Sequence, residues 1–179
     1  MSRVRIVGGQ WRSRLLPVAS VPGLRPTPDR VRETVFNWLG QDLSGWRVLD
    51  LFAGSGVLGF EAASRGAASV LMVEQDPRAI RSLACSAKTL SASCVEMYRG
   101  DALKFASACE RSFDLVFVDP PYGKGLVDRI AGHLDRLLVA DGWLYVEAER
   151  PLVDLGTWTT VRSGRAGQVY FQLLRGAPG

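Results

Sequence analysis

From Trp46 onward, short apolar runs alternate with stretches whose apolar residues recur at helical spacing. The runs Arg47–Phe52, Ser69–Val73, Cys94–Tyr98, Phe113–Val118 and Trp143–Glu147 read as strands. Helical stretches near 57–65, 77–90, 102–109 and 125–139 separate them. Near-continuous apolar strands with helices between them predict a parallel sheet covered on both faces. The tail breaks the alternation: Trp158–Arg162, a glycine turn at residues 163–167 and Val169–Leu174 predict an antiparallel hairpin.

The segment before Trp46 has a different pattern. Arg3–Val7 and Arg12–Val18 read as two strands turned at Gly8-Gly9-Gln10. A proline-rich loop follows, and then a helix with Thr27 placed to cap it and Pro28 at its first position. Val31, Val35, Trp38 and Leu39 share one face of that helix, and Gly40 ends it. The division expected is a hairpin and loop over residues 1–26 and one α/β domain over 27–179. A mostly parallel seven-stranded sheet closed by a C-terminal antiparallel hairpin is the class I S-adenosylmethionine-dependent methyltransferase architecture, Rossmann-like in its first half.

Charge sharpens the division. Residues 1–47 hold eight arginines against Asp29, Glu33 and Asp42, whereas the other 132 residues hold 14 basic and 15 acidic side chains. A basic arm on a near-neutral body is the electrostatic footprint of a polyanion partner. No apolar run approaches the ~18 residues of a membrane span and no signal-peptide core is present, so the chain reads as cytoplasmic. Cys85, Cys94 and Cys109 are widely spaced and fit reduced thiols, with neither a disulfide framework nor a metal site. His133, the one histidine, falls in a helical stretch and reads as structural.

Chemistry concentrates at strand ends. Gly54-Ser55-Gly56-Val57-Leu58-Gly59 matches G-x-G-x-x-G after a strand and before a helix, so its backbone can approach a ligand closely. Glu74, at the end of the next strand, suits two ribose hydroxyls. These two features fit NAD equally well. Asp50 tilts the choice, because a carboxylate is unwelcome beside a pyrophosphate and well placed near the sulfonium or amino-acid part of S-adenosylmethionine. Asp50, Phe52, Ala53, Gly54, Ser55, Gly56 and Glu74 are therefore the expected cofactor residues. Asp101 joins them as an acceptor for the adenine amine, and the same residue reads equally as a helix N-cap.

The corner Asp119-Pro120-Pro121-Tyr122 follows the fourth strand. Its carboxylate and a backbone carbonyl can accept the hydrogens of an exocyclic amine while Tyr122 stacks the ring. Such an amine is a poor nucleophile, and accepting its N–H bonds localises the nitrogen lone pair toward a methyl group. A carboxylate only accepts, which favours guanine, whose edge presents N1–H and N2–H side by side.

Together these residues resemble the bacterial small-subunit ribosomal RNA guanine-N2 methyltransferases of the RsmD type. The resemblance is carried by Arg5-Ile6-Val7-Gly8-Gly9, Arg12-Ser13-Arg14-Leu15, Leu24-Arg25-Pro26-Thr27, Asp29-Arg30-Val31-Arg32-Glu33, Phe36-Asn37, Asp50–Gly59, Val73-Glu74 and Asp119–Tyr122. It implies N2-methylguanine in 16S rRNA as product, the small ribosomal subunit as partner and a monomeric enzyme. It also implies that Arg5, Arg12, Arg14, Arg25 and Arg30 contact RNA or the active site. Three alternatives stand beside it: an adenine or cytosine amino-methyltransferase on DNA or other RNA, an NAD-linked oxidoreductase, and a ribosome-assembly factor without catalysis.

Overall fold

The computed structural model describes residues 2–177. Two strands, β1 (Ser2–Arg5) and β2 (Leu15–Val18), form an antiparallel ribbon, followed by helix α1 (Asp29–Leu39). The body then runs β3 (Arg47–Asp50), α2 (Val57–Ser64), β4 (Ser69–Glu74), α3 (Pro77–Thr89), β5 (Val95–Arg99), α4 (Ala102–Ala108) and β6 (Phe113–Val118). It closes with α5 (Leu126–Ile130), a 3-10 turn at 131–133, α6 (Leu134–Leu137), β7 (Leu138–Ala148), β8 (Asp154–Leu155), β9 (Trp158–Ala166) and β10 (Val169–Gly176).

The main sheet has the order β5-β4-β3-β6-β7-β10-β9-β8, with β3 to β7 parallel and the last three strands antiparallel. The chain leaves β3 toward one edge through β4 and β5, then returns to lay β6 and β7 on the other side. That reversal opens a crevice at the carboxyl ends of β3 and β6, where such sheets bind ligands. An eighth, two-residue strand at the edge is the one addition to the seven expected.

Alternation along the strands explains the two-faced core. Val48, Val70, Met72, Leu115 and Phe117 pack with α1, α2 and α3 on one face. Their neighbours Leu49, Leu71, Val73, Val116 and Val118 pack with α4, α5 and α6 on the other.

Four expectations need correction. Residues 6–14 make a wide excursion in place of a tight turn. The Gln10 N–H donates to the Ser64 carbonyl at 2.8 Å, and the Trp11 N–H donates to Ser64 Oγ at 2.9 Å. Gly9 lies at φ +76°, so close to the end of α2 that a Cβ would overlap the Ser64 backbone. The glycines thus serve close approach to the body.

Thr27 caps nothing: Pro28 occupies the N-cap position, and the Thr27 hydroxyl is spent on Glu147. The stretch 125–139 breaks into α5, the 3-10 turn and α6, because β7 begins already at Leu138. Residues 163–166 are strand and the turn shrinks to Gly167-Gln168, since β9 runs to Ala166 and a bulge opposite Leu173–Leu174 absorbs the irregular register.

The ribbon is locked to the body by a buried ion cluster. Arg32, with no exposed surface, donates to Glu61 Oε1 at 2.6 Å, the Arg5 carbonyl at 2.7 Å and the Thr27 carbonyl at 2.9 Å. It also pairs with Asp29. Arg65 meets the second Glu61 oxygen at 2.7 Å and lies over the Phe36 ring. One guanidinium therefore joins the ribbon, the following loop, α1 and α2. Removing a partner from a buried pair leaves an uncompensated charge at a cost of about 3–5 kcal/mol. Arg32→Met is accordingly expected to lower Tm by roughly 6–20 °C in a thermal melt, given about 2–4 °C per kcal/mol at this size. A loss below 1 °C would show the cluster to be dispensable.

Candidate active site

Five parallel strands bring an acidic residue to or just beyond their carboxyl ends: Asp50 on β3, Glu74 on β4, Asp101 after β5, Asp119 after β6 and Glu147 near the end of β7. The glycine turn starts α2. Gly54 and Gly56 lie at φ +56° and +79°, conformations costly for other residues, and the Gly56 N–H closes the turn onto the Ala53 carbonyl at 2.7 Å. The Ala53 N–H in turn donates to the Val73 carbonyl at 2.9 Å, which ties the turn to β4. Phe52 and Ser55 flank it half-buried.

Asp50 is 1% exposed and accepts the Gly59 N–H at 3.1 Å, holding the start of α2. Burial pushes its carboxyl up to about 7 against the lowering effect of that hydrogen bond, with Glu74 and Glu147 adding repulsion. Glu74 accepts the Gly54 N–H at 2.8 Å on one oxygen and the Gln75 and Asp76 N–H groups on the other. A carboxylate has about four acceptor positions, so one remains for a further donor. Asp101 caps α4, accepting from the Lys104 N–H at 2.9 Å, and its N-cap role is plain in the structure.

Asp119 and Pro120 directly follow the end of β6, and Tyr122 is 49% exposed. Burial, then Glu147, then Asp50 push the Asp119 carboxyl well above the ordinary carboxylate range, with the Thr27 hydroxyl opposing. Tyr122 is pushed up to about 12 by burial and by the charges of Asp119, Glu147 and Glu149.

Glu147 was not among the residues expected here. It is 7% exposed and accepts the Tyr145 hydroxyl at 2.6 Å and the Thr27 hydroxyl at 3.0 Å. The signal was present in the sequence, since Glu147 ends an apolar strand run as Asp50 and Glu74 do. Beside it opens a cleft of about 370 Å³ lined by Pro120, Pro121, Tyr122, Leu126, Glu147 and Arg150. That volume lies within the range of small-ligand sites, about 300–1,000 Å³.

Among the described residues, no lysine or arginine pairs with Asp50, Asp119 or Glu147. Carboxylates crowded without a counter-ion suit a cationic ligand and repel a pyrophosphate. The sulfonium and ammonium groups of S-adenosylmethionine match this donor set, and the dinucleotide alternative does not.

The N-terminal arginines divide into two groups. Arg32 and Arg47 are paired with carboxylates. Arg3, Arg5, Arg12, Arg14, Arg25 and Arg30 are exposed, and none forms an ion pair among the described residues. Arg25 lies in the loop between Leu24, the nearest neighbour a Cβ on Gly54 would meet, and Thr27, which binds Glu147. That loop therefore spans the glycine turn and the Asp119 corner.

Asp50 yields a pH-dependent prediction. Its raised value means that its protonated form favours the fold, fully below the ordinary 3.8 and progressively less as pH rises through about 7. Asp50→Asn is expected to be more stable than wild type by about 1–4 kcal/mol at pH 8 and equal to it at pH 4. Denaturant unfolding at the two pH values measures this, and equal differences at both would contradict the burial account.

The doubly wound sheet, its antiparallel close and the acidic rim define a class I methyltransferase, an enzyme that draws its methyl group from S-adenosylmethionine. Residues 4–175 match the family described as "Conserved hypothetical protein 95". A relative from Escherichia coli strain K12 named ribosomal RNA small subunit methyltransferase D is 42% identical, over 97% of this chain and 90% of its own. A relative of the same name from Haemophilus influenzae is 40% identical over 96% of this chain and 93% of its own. A solved structure from Escherichia coli superposes with a TM-score of 0.88 at 42% identity, covering 99% of this chain and 100% of that one. The chain belongs to this family of small-subunit ribosomal RNA methyltransferase D proteins.

Proposed function

We propose that the protein transfers a methyl group from S-adenosylmethionine to the exocyclic N2 amine of a guanine in 16S rRNA of the small ribosomal subunit. The observation that carries this reading is the set of acceptors at neighbouring strand ends, Asp119 and the Pro120 carbonyl directly after β6 and Glu147 near the end of β7, with Pro120 and Glu147 lining the cleft. Guanine offers two adjacent donors, N1–H and N2–H, to such a set. Adenine and cytosine offer a donor beside an acceptor, which two neighbouring acceptors match less well.

In this reading Asp50, residues 52–56, Glu74 and Asp101 hold the cofactor. Glu74 takes the ribose hydroxyls with its remaining acceptor position, and the uncompensated charge near Asp50 holds the cationic end. The bound cofactor supplies a methyl group already activated by its sulfonium. The protein's own residues then have three tasks. Asp119 and the Pro120 carbonyl accept the amine hydrogens and turn the nitrogen lone pair toward the methyl group. Tyr122 stacks on the ring, its hydroxyl held protonated. The walls at Pro121 and Leu126 limit water around the reacting nitrogen. The exposed Arg5, Arg12, Arg14, Arg25 and Arg30 bind phosphates and place the nucleotide over the cleft. No helix among the described residues is long and apolar enough to cross a membrane, which suits a substrate found in the cytoplasm.

Labelled methyl transfer tests the substrate. Small subunits lacking the modification, naked 16S rRNA and duplex DNA are incubated with protein and methyl-labelled S-adenosylmethionine. Label is expected in the rRNA of subunits. Label in DNA alone would replace this reading with the DNA amino-methyltransferase, and bound subunits without label would favour the assembly factor.

A further inference from the structure

Helix α3 is unlike the other helices of the body in charge. Over its 13 residues it carries Arg78, Arg81 and Lys88 and no acid, and the acid-free run extends from Pro77 to Val95. Arg78 pairs with Asp76 at 2.9 Å, whereas Arg81 and Lys88 are exposed and form no ion pair among the described residues. Ala79, Leu83 and Ser86 face the core, so Arg81, Ala84, Cys85 and Lys88 share the outer face at helical spacing.

That face adjoins the ribbon. Ser82 Oγ donates to the Pro17 carbonyl at 3.2 Å, and Arg14 Nη2 donates to the Thr89 carbonyl at 3.4 Å. Arg3 lies opposite Pro17 in the β1–β2 register, and the ribbon with its following loop, residues 2–28, also contains no acid. The two acid-free segments therefore form one basic surface. It runs from Arg14 and Lys88 toward the start of α3, which follows Glu74 on the cofactor rim.

We propose that the outer face of α3, through Arg81 and Lys88, is a second RNA-contacting surface that continues the ribbon and holds the sugar–phosphate backbone of the ribosomal RNA. This rests on the RNA reading above. Seven residues of helix separate the two cations by about 10 Å, close to three phosphate steps of a strand at ~3.4 Å each. The small side chains of Ala84 and Cys85 between them let a backbone come near. Arginine enrichment alone would not clear both segments of acids. A membrane or a protein partner would want apolar anchors. The large hydrophobics exposed among the described residues are Leu15, Tyr98, Tyr122, Val153 and Val161, and none is on α3.

Cys85 is exposed between the two cations and reports on the surface in the wild-type protein. Its alkylation by iodoacetamide, followed by peptide mass, is expected to slow at least fivefold when small subunits lacking the modification are bound. Salt that releases the complex should restore the rate. The double variant Arg81→Gln with Lys88→Gln should keep its Tm and its S-adenosylmethionine affinity. Its slope of log K against log salt for subunits should shrink by about 1.4–1.8, and Arg81→Lys alone should keep the slope.

Cys85 alkylated as fast in the complex as in the free protein would overturn the surface and leave the RNA reading intact. A slope unmoved in the double variant would do the same, and protection without it would mean that a ribosomal protein covers α3. Wild-type protein that binds neither subunits nor 16S rRNA would overturn the surface and the RNA reading together.

Discussion

Asp119→Ala is expected to lower kcat by about 10²–10⁴-fold while leaving S-adenosylmethionine binding within a factor of a few. The cofactor rim at Asp50, the glycine turn and Glu74 is held by its own hydrogen bonds to Gly59, Gly54, Gln75 and Asp76, none of which involves Asp119. The substitution removes the acceptor for the amine hydrogens and one carboxylate of the crowded set, so the empty protein should gain stability above neutral pH. Asp119→Asn is a sharper probe. It keeps one acceptor oxygen but presents an NH₂ where guanine also presents a donor, so its loss should approach that of alanine. Calorimetry for the cofactor and single-turnover methylation for the rate separate the two effects. Cofactor binding that collapses together with activity would mean that Asp119 belongs to the cofactor site.

Substituting Arg5, Arg12 and Arg14 together by glutamine carries the second large effect. All three are exposed and lack carboxylate partners, whereas Arg32, which locks the same ribbon, is fully buried. The triple variant should therefore fold with an unchanged Tm and bind cofactor normally. Its affinity for the RNA substrate should fall by roughly 10–100-fold, at about 0.5–1 kcal/mol per lost phosphate contact. The slope of log K against log salt should shrink by about 2–3. An unchanged slope would place the RNA on another face. A fall in Tm instead would give these arginines a structural role beside Arg32.

The strands and their acidic ends were legible because a doubly covered parallel sheet writes itself as apolar runs, and a charged residue closing such a run stands out. Asp50, Glu74, Asp101 and Asp119 were readable on that ground. Glu147 obeys the same rule but comes from the last parallel strand, outside any motif spacing. The Thr27 role was hidden for a different reason. A threonine before a proline and an aspartate is a sound local cap signal, and only the tertiary fold brings the hydroxyl beside Glu147, 120 residues away. The Gly8-Gly9 pair likewise carries a hairpin signal, and contact with Ser64 overrides it. Nor could sequence sort the arginines, because burial of Arg32 against Glu61 depends on two helices meeting.

The most direct test of the central claim is mass spectrometry of nucleosides from small subunits that lack the modification, after incubation with the protein and S-adenosylmethionine. N2-methylguanosine in 16S rRNA, absent with Asp119→Ala, is the predicted result. Methylated adenosine or cytidine in its place, or no methylated nucleoside at all, would contradict the assignment of the acceptors at Asp119, Pro120 and Glu147.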